Sequence, residues 1–136
     1  MGIPMQPVYT ETETETDSIT EDNLMKITAQ SEELTKQEQY FLTKAQDIMK
    51  MSDAVGQTME LELWCIYEDT NSDGKDVELF SLRNTDGEAY ATNSGTFIAA
   101  FRDILDVFEP GEIKKLKIMS GTSKNGRTYI TCAYAD

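Results

Sequence analysis

The spacing of apolar residues changes at Gly56, and this change limits the fold more than any other feature of the chain. Beyond it, Met59, Leu61, Leu63 and Cys65 alternate with Glu60, Glu62, Trp64 and Ile66, the two-residue repeat of a strand with one face in a core. Asn71-Ser72-Asp73-Gly74 then signals a turn, and Val77 to Arg83 a second strand. A further turn, Asn84-Thr85-Asp86-Gly87, leads into a short third strand, Glu88 to Thr92. The period next becomes helical from about Thr96 to Phe108, capped near Ser94, with Phe97, Ile98, Phe101, Ile104, Leu105 and Phe108 on one face and Glu109-Pro110-Gly111 as the stop. Ile113 to Met119 and Arg127 to Tyr134 read as two last strands, joined by a Gly- and Ser-rich loop.

The order is therefore β-β-β-α-β-β. Five short strands cannot each protect their edges, and closure into a barrel with the helix across one end removes that difficulty. The expected fold class is mainly β with added helix: a five-stranded OB-type barrel over residues 57–136. An open α+β sheet and another small barrel are the alternatives.

Upstream, Thr35-Lys36-Gln37-Glu38 is a capping box, so a helix is expected from Thr35 to about Met51, with Phe41, Leu42, Ala45, Ile48 and Met49 as its apolar stripe. Residues 34–56 thus form an N-terminal helix and linker. Residues 1–33 read as an acidic low-complexity arm, disordered or extended, because alternating Thr and Glu between Thr10 and Asp17 offers little to bury. No apolar run approaches the roughly 18 residues of a membrane span, and the N-terminus lacks the pattern of a signal peptide. A cytoplasmic protein with no membrane partner is the expectation.

The formal charge of −13 argues against a polyanionic partner until its distribution is followed. Between Ile113 and Ala135 the chain carries Lys114, Lys115, Lys117, Lys124 and Arg127 and no Asp or Glu. In the last two strands Leu116, Ile118, Ile130 and Cys132 share the core parity, which turns Lys115, Lys117, Arg127, Tyr129 and Thr131 outward. Cations interleaved with an aromatic ring suit a flexible nucleic-acid strand, since the cations neutralise phosphates and the ring stacks on any base. Trp64, on the outward parity of the first strand, is expected to be a second stacking platform. The competing reading is that these basic residues keep a strand edge soluble while Tyr129 and Trp64 cover the ends of the core.

Chemistry is poorly provided for. The chain has no histidine, no Gly-rich phosphate loop ahead of a helix and no convincing metal-ligand spacing, so neither catalysis nor a cofactor or metal is expected. Asp69-Thr70-Asn71-Ser72-Asp73-Gly74 matches the start of a calcium loop, but its twelfth position is Phe80 where a bidentate Glu is required, and a hairpin turn is the reading preferred. Cys65 and Cys132 lie inside apolar runs and are expected to be buried thiols.

Gly87-Glu88-Ala89-Tyr90-Ala91-Thr92-Asn93-Ser94, the following Phe97 and Phe101, and the run from Gly121 through Lys124, Gly126, Arg127 and Tyr129 to Cys132 resemble small single-stranded DNA-binding proteins encoded by phages and mobile elements of Gram-positive bacteria. The resemblance spans roughly Leu34 to Tyr134 and implies an OB-fold that coats single-stranded DNA, or RNA, during replication or recombination, with the basic strand-loop-strand in contact. The acidic arm departs from that family's pattern by lying at the N-terminus. It would compete with DNA for the basic face or recruit a replication protein, and a homo-oligomer is expected. A second class of function stays open: a structural phage virion or assembly component whose arm and Thr35 helix lace subunits together.

Overall fold

The computed structural model describes residues 25–70 and 73–136. The arm expected before residue 25, and Asn71 and Ser72 of the first expected turn, lie outside the described residues. In chain order the elements are β1 (Lys26–Gln30), α1 (Lys36–Thr43), β2 (Met49–Lys50), a 3-10 turn at Met51–Ala54, β3 (Thr58–Thr70), β4 (Asp76–Asn84), β5 (Ala89–Thr92), α2 (Gly95–Leu105), a 3-10 turn at Pro110–Glu112, β6 (Lys115–Thr122) and β7 (Thr128–Ala135).

Together the strands make one mainly β, curled sheet in the order β2-β5-β4-β3-β6-β7, and β1 also pairs with β3. Strand β3 organises it. Its start, Thr58 to Glu60, is antiparallel to Lys117 to Lys115 of β6, and from Leu61 to Thr70 it runs antiparallel to β4. β1 pairs with residues Cys65 to Glu68 of β3. Part of the stretch expected as arm, Lys26 to Gln30, is thus a strand of the sheet.

Closure into a five-stranded barrel is not seen. No strand pairing joins β5 to β7 among the described residues, and the edge of β5 is taken by the parallel bridge of Met49 and Lys50 to Tyr90 and Ala91. The curl stays open at this seam, and α2 fills its inside. Phe97, Ile98, Phe101 and Ile104 are the buried face of α2, and Ser94 caps it by accepting from the Phe97 amide. Phe101 meets Trp64 and Phe80 with ring centres 4.6 and 4.5 Å apart, and Phe80 meets Phe97 at 5.2 Å. Aromatic pairs at such separations add about 0.5–1.5 kcal/mol to simple burial.

Register shifts by one residue between Leu61 and Leu63, a bulge in β3. Met59 and Leu61 face the α2 side before it, and Trp64 and Ile66 face that side after it. The expected alternation, with Leu63 and Cys65 facing the α2 side and Trp64 turned outward, therefore fails midway. A strand's side chains change face every residue, so one inserted residue exchanges the faces of all that follow. Leu63, Cys65 and Tyr67 form a second core on the other face, with Leu34 and Leu42.

Helix α1 covers that second core. Its capping box is formed as expected: the Glu38 amide donates to Thr35 Oγ1 and the Thr35 amide to Glu38 Oε1. The helix ends at Thr43, however, not near Met51. Ala45, Ile48 and Met49 keep a helical spacing, yet the chain turns there and spends Met49 on the edge of β5 and Met51 in the main core. Leu42 is fully buried, and its carbonyl accepts the Ser81 hydroxyl of β4. Phe41, expected on the packed stripe, is 41% exposed. Leu42→Ala should therefore lower the unfolding free energy in urea by about 2–5 kcal/mol, whereas Phe41→Ala should cost less than about 1 kcal/mol.

Candidate nucleic-acid interface

The β6–β7 hairpin is made by its loop. The Gly126 amide donates to the Ser123 carbonyl at 2.9 Å and the Ser123 amide to the Arg127 carbonyl at 2.8 Å, while Gly126 takes φ +81°, a left-handed backbone that glycine adopts without strain. That turn fixes the register: Lys115 lies opposite Ala135, Lys117 opposite Ala133, Met119 opposite Thr131 and Gly121 opposite Tyr129. Directly opposed residues share a face, so these eight residues form the outer surface. Leu116 and Ile118 on the other parity are fully buried, and Cys132 is buried.

Each small residue on this surface leaves room for a larger one. Ala133 and Ala135 stand across from the two lysines, so neither stem is crowded. The Tyr129 ring lies over Gly121 so closely that a Cβ there would sit 2.5 Å from the phenol oxygen and 2.6 Å from Cζ. The outer end of the ring lies over the backbone there, and Tyr129 remains 38% exposed. Lys124 and Arg127 are exposed at the loop. Five of the six residues expected at the site, Lys115, Lys117, Lys124, Arg127 and Tyr129, are thus carried by one hairpin.

Trp64, the sixth, does not belong there. It is fully buried, stacked near Phe80 and edge-on to Phe101, because the bulge carries it to the α2 side. Its indole N–H has no hydrogen-bond partner among the described residues. Met119, which the sequence reading passed over, takes part instead: it is 36% exposed on the outer face between Lys117 and Gly121. Its shared parity with Lys117 was the available signal.

Electrostatically the hairpin differs in gathering several unpaired cations on one element pair, whereas Lys26, Lys36 and Lys50, also without ion pairs among the described residues, stand singly on β1, α1 and β2. Lys44, Arg83 and Arg102 are tied to Asp69, Glu62 and Glu78, and Arg102 engages Glu78 with both terminal nitrogens. The hydrogen bond from Lys44 holds the Asp69 carboxyl below its ordinary value. None of Lys114, Lys115, Lys117, Lys124 and Arg127 has an ion pair among the described residues. The basic surface fades at one margin, where Glu60 of β3 lies opposite Lys115, while Thr58 lies opposite Lys117.

Burial pushes the Cys65 and Cys132 thiols up to about 12, so neither is a thiolate near neutral pH. Among the described residues no group of three or more His, Cys, Asp or Glu is placed to hold a metal ion. No helix among them is long and apolar enough to cross a membrane.

No protein-family model, curated protein sequence or solved structure matches this chain.

Two predictions follow from burial and from the ring contact. Below pH 9 the thiols are protonated in both folded and unfolded chains, but from their ordinary value of 9.0 up to about 12 only the unfolded chain releases the protons. Tyr67, also pushed up to about 12, acts in the same direction. Stability measured by urea titration should therefore fall steadily above pH 9, and both thiols should resist a disulfide reagent at pH 8 until the protein is unfolded. Gly121→Ala should drive the Tyr129 ring off the hairpin, visible as a changed Tyr129 ring environment by NMR, at a cost within about 0.5 kcal/mol because the clash is with the outer end of an exposed, rotatable side chain.

Proposed function

We propose that this chain binds single-stranded nucleic acid, DNA in the first instance, without sequence preference, through the outer face of the β6–β7 hairpin. The observation that carries this reading is Tyr129, exposed with the outer end of its ring over Gly121, on the same face as Lys117 and Met119 and beside the cations of the 123–127 loop. An exposed aromatic ring offers a stacking surface, and base stacking on it is worth about 1–3 kcal/mol per base. Cations without carboxylate partners have no internal bond to break before meeting phosphate.

The sheet supports the same reading. Its order β5-β4-β3-β6-β7, with the long β3 shared between two pairings and α2 inserted between β5 and β6, fits an OB-type barrel left open at one seam. The residues resembling phage and mobile-element single-stranded DNA-binding proteins include this hairpin. Coating of single strands during replication or recombination is the role that combination fits.

Trp64 is buried, so its fluorescence is a poor reporter, and a labelled oligo-dT followed by anisotropy is the better assay. Affinity should fall as salt rises. Replacing Lys117 and Arg127 together with alanine should reduce the slope of log affinity against log salt by about 1.4, at roughly 0.7 per lost phosphate contact on a single strand. Tyr129→Ala should cost about 1–3 kcal/mol with little change in slope. Absence of oligo-dT binding at low salt, or wild-type behaviour of all these variants, would overturn the assignment.

A further inference from the structure

The open seam of the sheet holds a groove of about 330 Å³ whose lining includes Lys50, Met51, Leu79, Asn93 and Ile130. It exists because β2 covers the edge of β5 for only two residues, Met49 and Lys50, and because β7 does not pair with β5 beyond them. Ile130, on the β7 side, has its carbonyl held by the Thr96 hydroxyl at 2.7 Å, which fixes this part of β7 against the start of α2. Leu79, Ile130 and Ala91 supply apolar surface above the buried Met51, and Lys50, Asn93, Ser52 and Thr92 supply the polar groups.

Charge sets this groove apart from its surroundings. The chain carries 25 acidic against 12 basic side chains, yet among the described residues no carboxylate lines the groove. Lys50 has no ion pair, and the Asn93 side chain no hydrogen bond, among the described residues. An amide in such a lining can donate to and accept from the edge of a base, and an exposed lysine can take the phosphate. The volume lies near the lower end of ligand pockets, the size of one nucleotide unit.

Position links the groove to the hairpin. Tyr129 is the platform on the outer face of β7, and Ile130, the next residue, lines the groove. Tyr129 and Ile130 face opposite sides of β7, so a strand stacked on Tyr129 reaches the seam by passing over the β7 edge, and with successive Cα atoms about 3.8 Å apart that takes very few nucleotides. We propose that the seam is a second nucleotide site on the same track, taking the base of a single strand against Ile130 and Ala91 and its phosphate at Lys50. This inference rests on the hairpin being the primary contact.

Methionine methyl NMR separates the two claims, because Met119 sits on the hairpin and Met51 in the groove. With [methyl-13C]methionine protein, a dT oligomer too short to leave the hairpin should shift Met119 alone, whereas longer dT oligomers should shift Met51 as well. Lys50→Ala and Asn93→Ala should each weaken binding of the longer oligomer by about three- to tenfold, the size of one phosphate or base contact, and leave the shortest unaffected. A Met51 signal that stays put at saturation with every length, while Met119 moves, would overturn the groove and leave the hairpin standing. Movement of neither methyl would overturn both. Saturable binding of free dTMP that shifts Met51 without Met119 would replace the strand track with a small-molecule site.

Discussion

One inserted residue in β3 governs the layout of this molecule. Before the bulge the strand needs cover on one face only, and after it both faces are apolar, with Trp64 and Ile66 on one side and Leu63, Cys65 and Tyr67 on the other. A sheet apolar on both faces must be a middle layer. The chain meets that demand from two directions: α2 supplies the aromatic residues inside the curl, and Leu34 with α1 covers the outside. The N-terminal segment is therefore part of the fold's energetics, joined to it by β1 and by the Ser81 hydroxyl on the Leu42 carbonyl.

The same arrangement decides which surface is left for a partner. With α1 on one side of the β3–β4 sheet and α2 on the other, the sheet surface that is left uncovered among the described residues and also carries cations is the outer face of β6–β7. Elsewhere Lys44, Arg83 and Arg102 are neutralised by neighbouring carboxylates. Exposed pairs of that kind stabilise weakly, by about 0–1 kcal/mol. Their larger effect here is to leave the hairpin as a concentrated basic field on an acidic molecule, and local field rather than net charge steers a polyanion.

Much of this was legible in the sequence, and the exceptions have physical causes. Outside the later half of β3, α2 and the last two strands follow their apolar periods closely, since each buries one face. The parity of Lys115, Lys117 and Tyr129 could be read because Leu116, Ile118 and Cys132 mark the buried side without ambiguity. Trp64 could not be placed, because from Leu63 to Tyr67 every residue is apolar and either parity is consistent with the residues alone. The early stop of α1 was hidden for a related reason. Ala45, Ile48 and Met49 suit a helical stripe, and only the edge of β5 shows why Met49 is needed in a strand. β1 offered too little pattern to separate from an arm, since Lys-Ile-Thr-Ala-Gln takes its strand character from the edge of β3 that it meets. The Gly121–Tyr129 contact depends on cross-strand register, which the turn at Ser123 to Gly126 sets and no single-strand period reveals.

The open seam has a cost of another kind. Thr128 to Ala135 contains no charged residue, is rich in strand-forming side chains and forms, among the described residues, a sheet edge with no strand beyond it. Unpaired edges of this composition are templates for adding strands from other chains. Its protection comes from outside the strand: the Thr96 hydroxyl occupies the Ile130 carbonyl, and the Phe108 ring lies stacked on Tyr134 with centres 4.1 Å apart. The α2 region is then a guard against self-association as well as the filling of the core. The chain's large negative charge works in the same direction, because like-charged molecules repel one another.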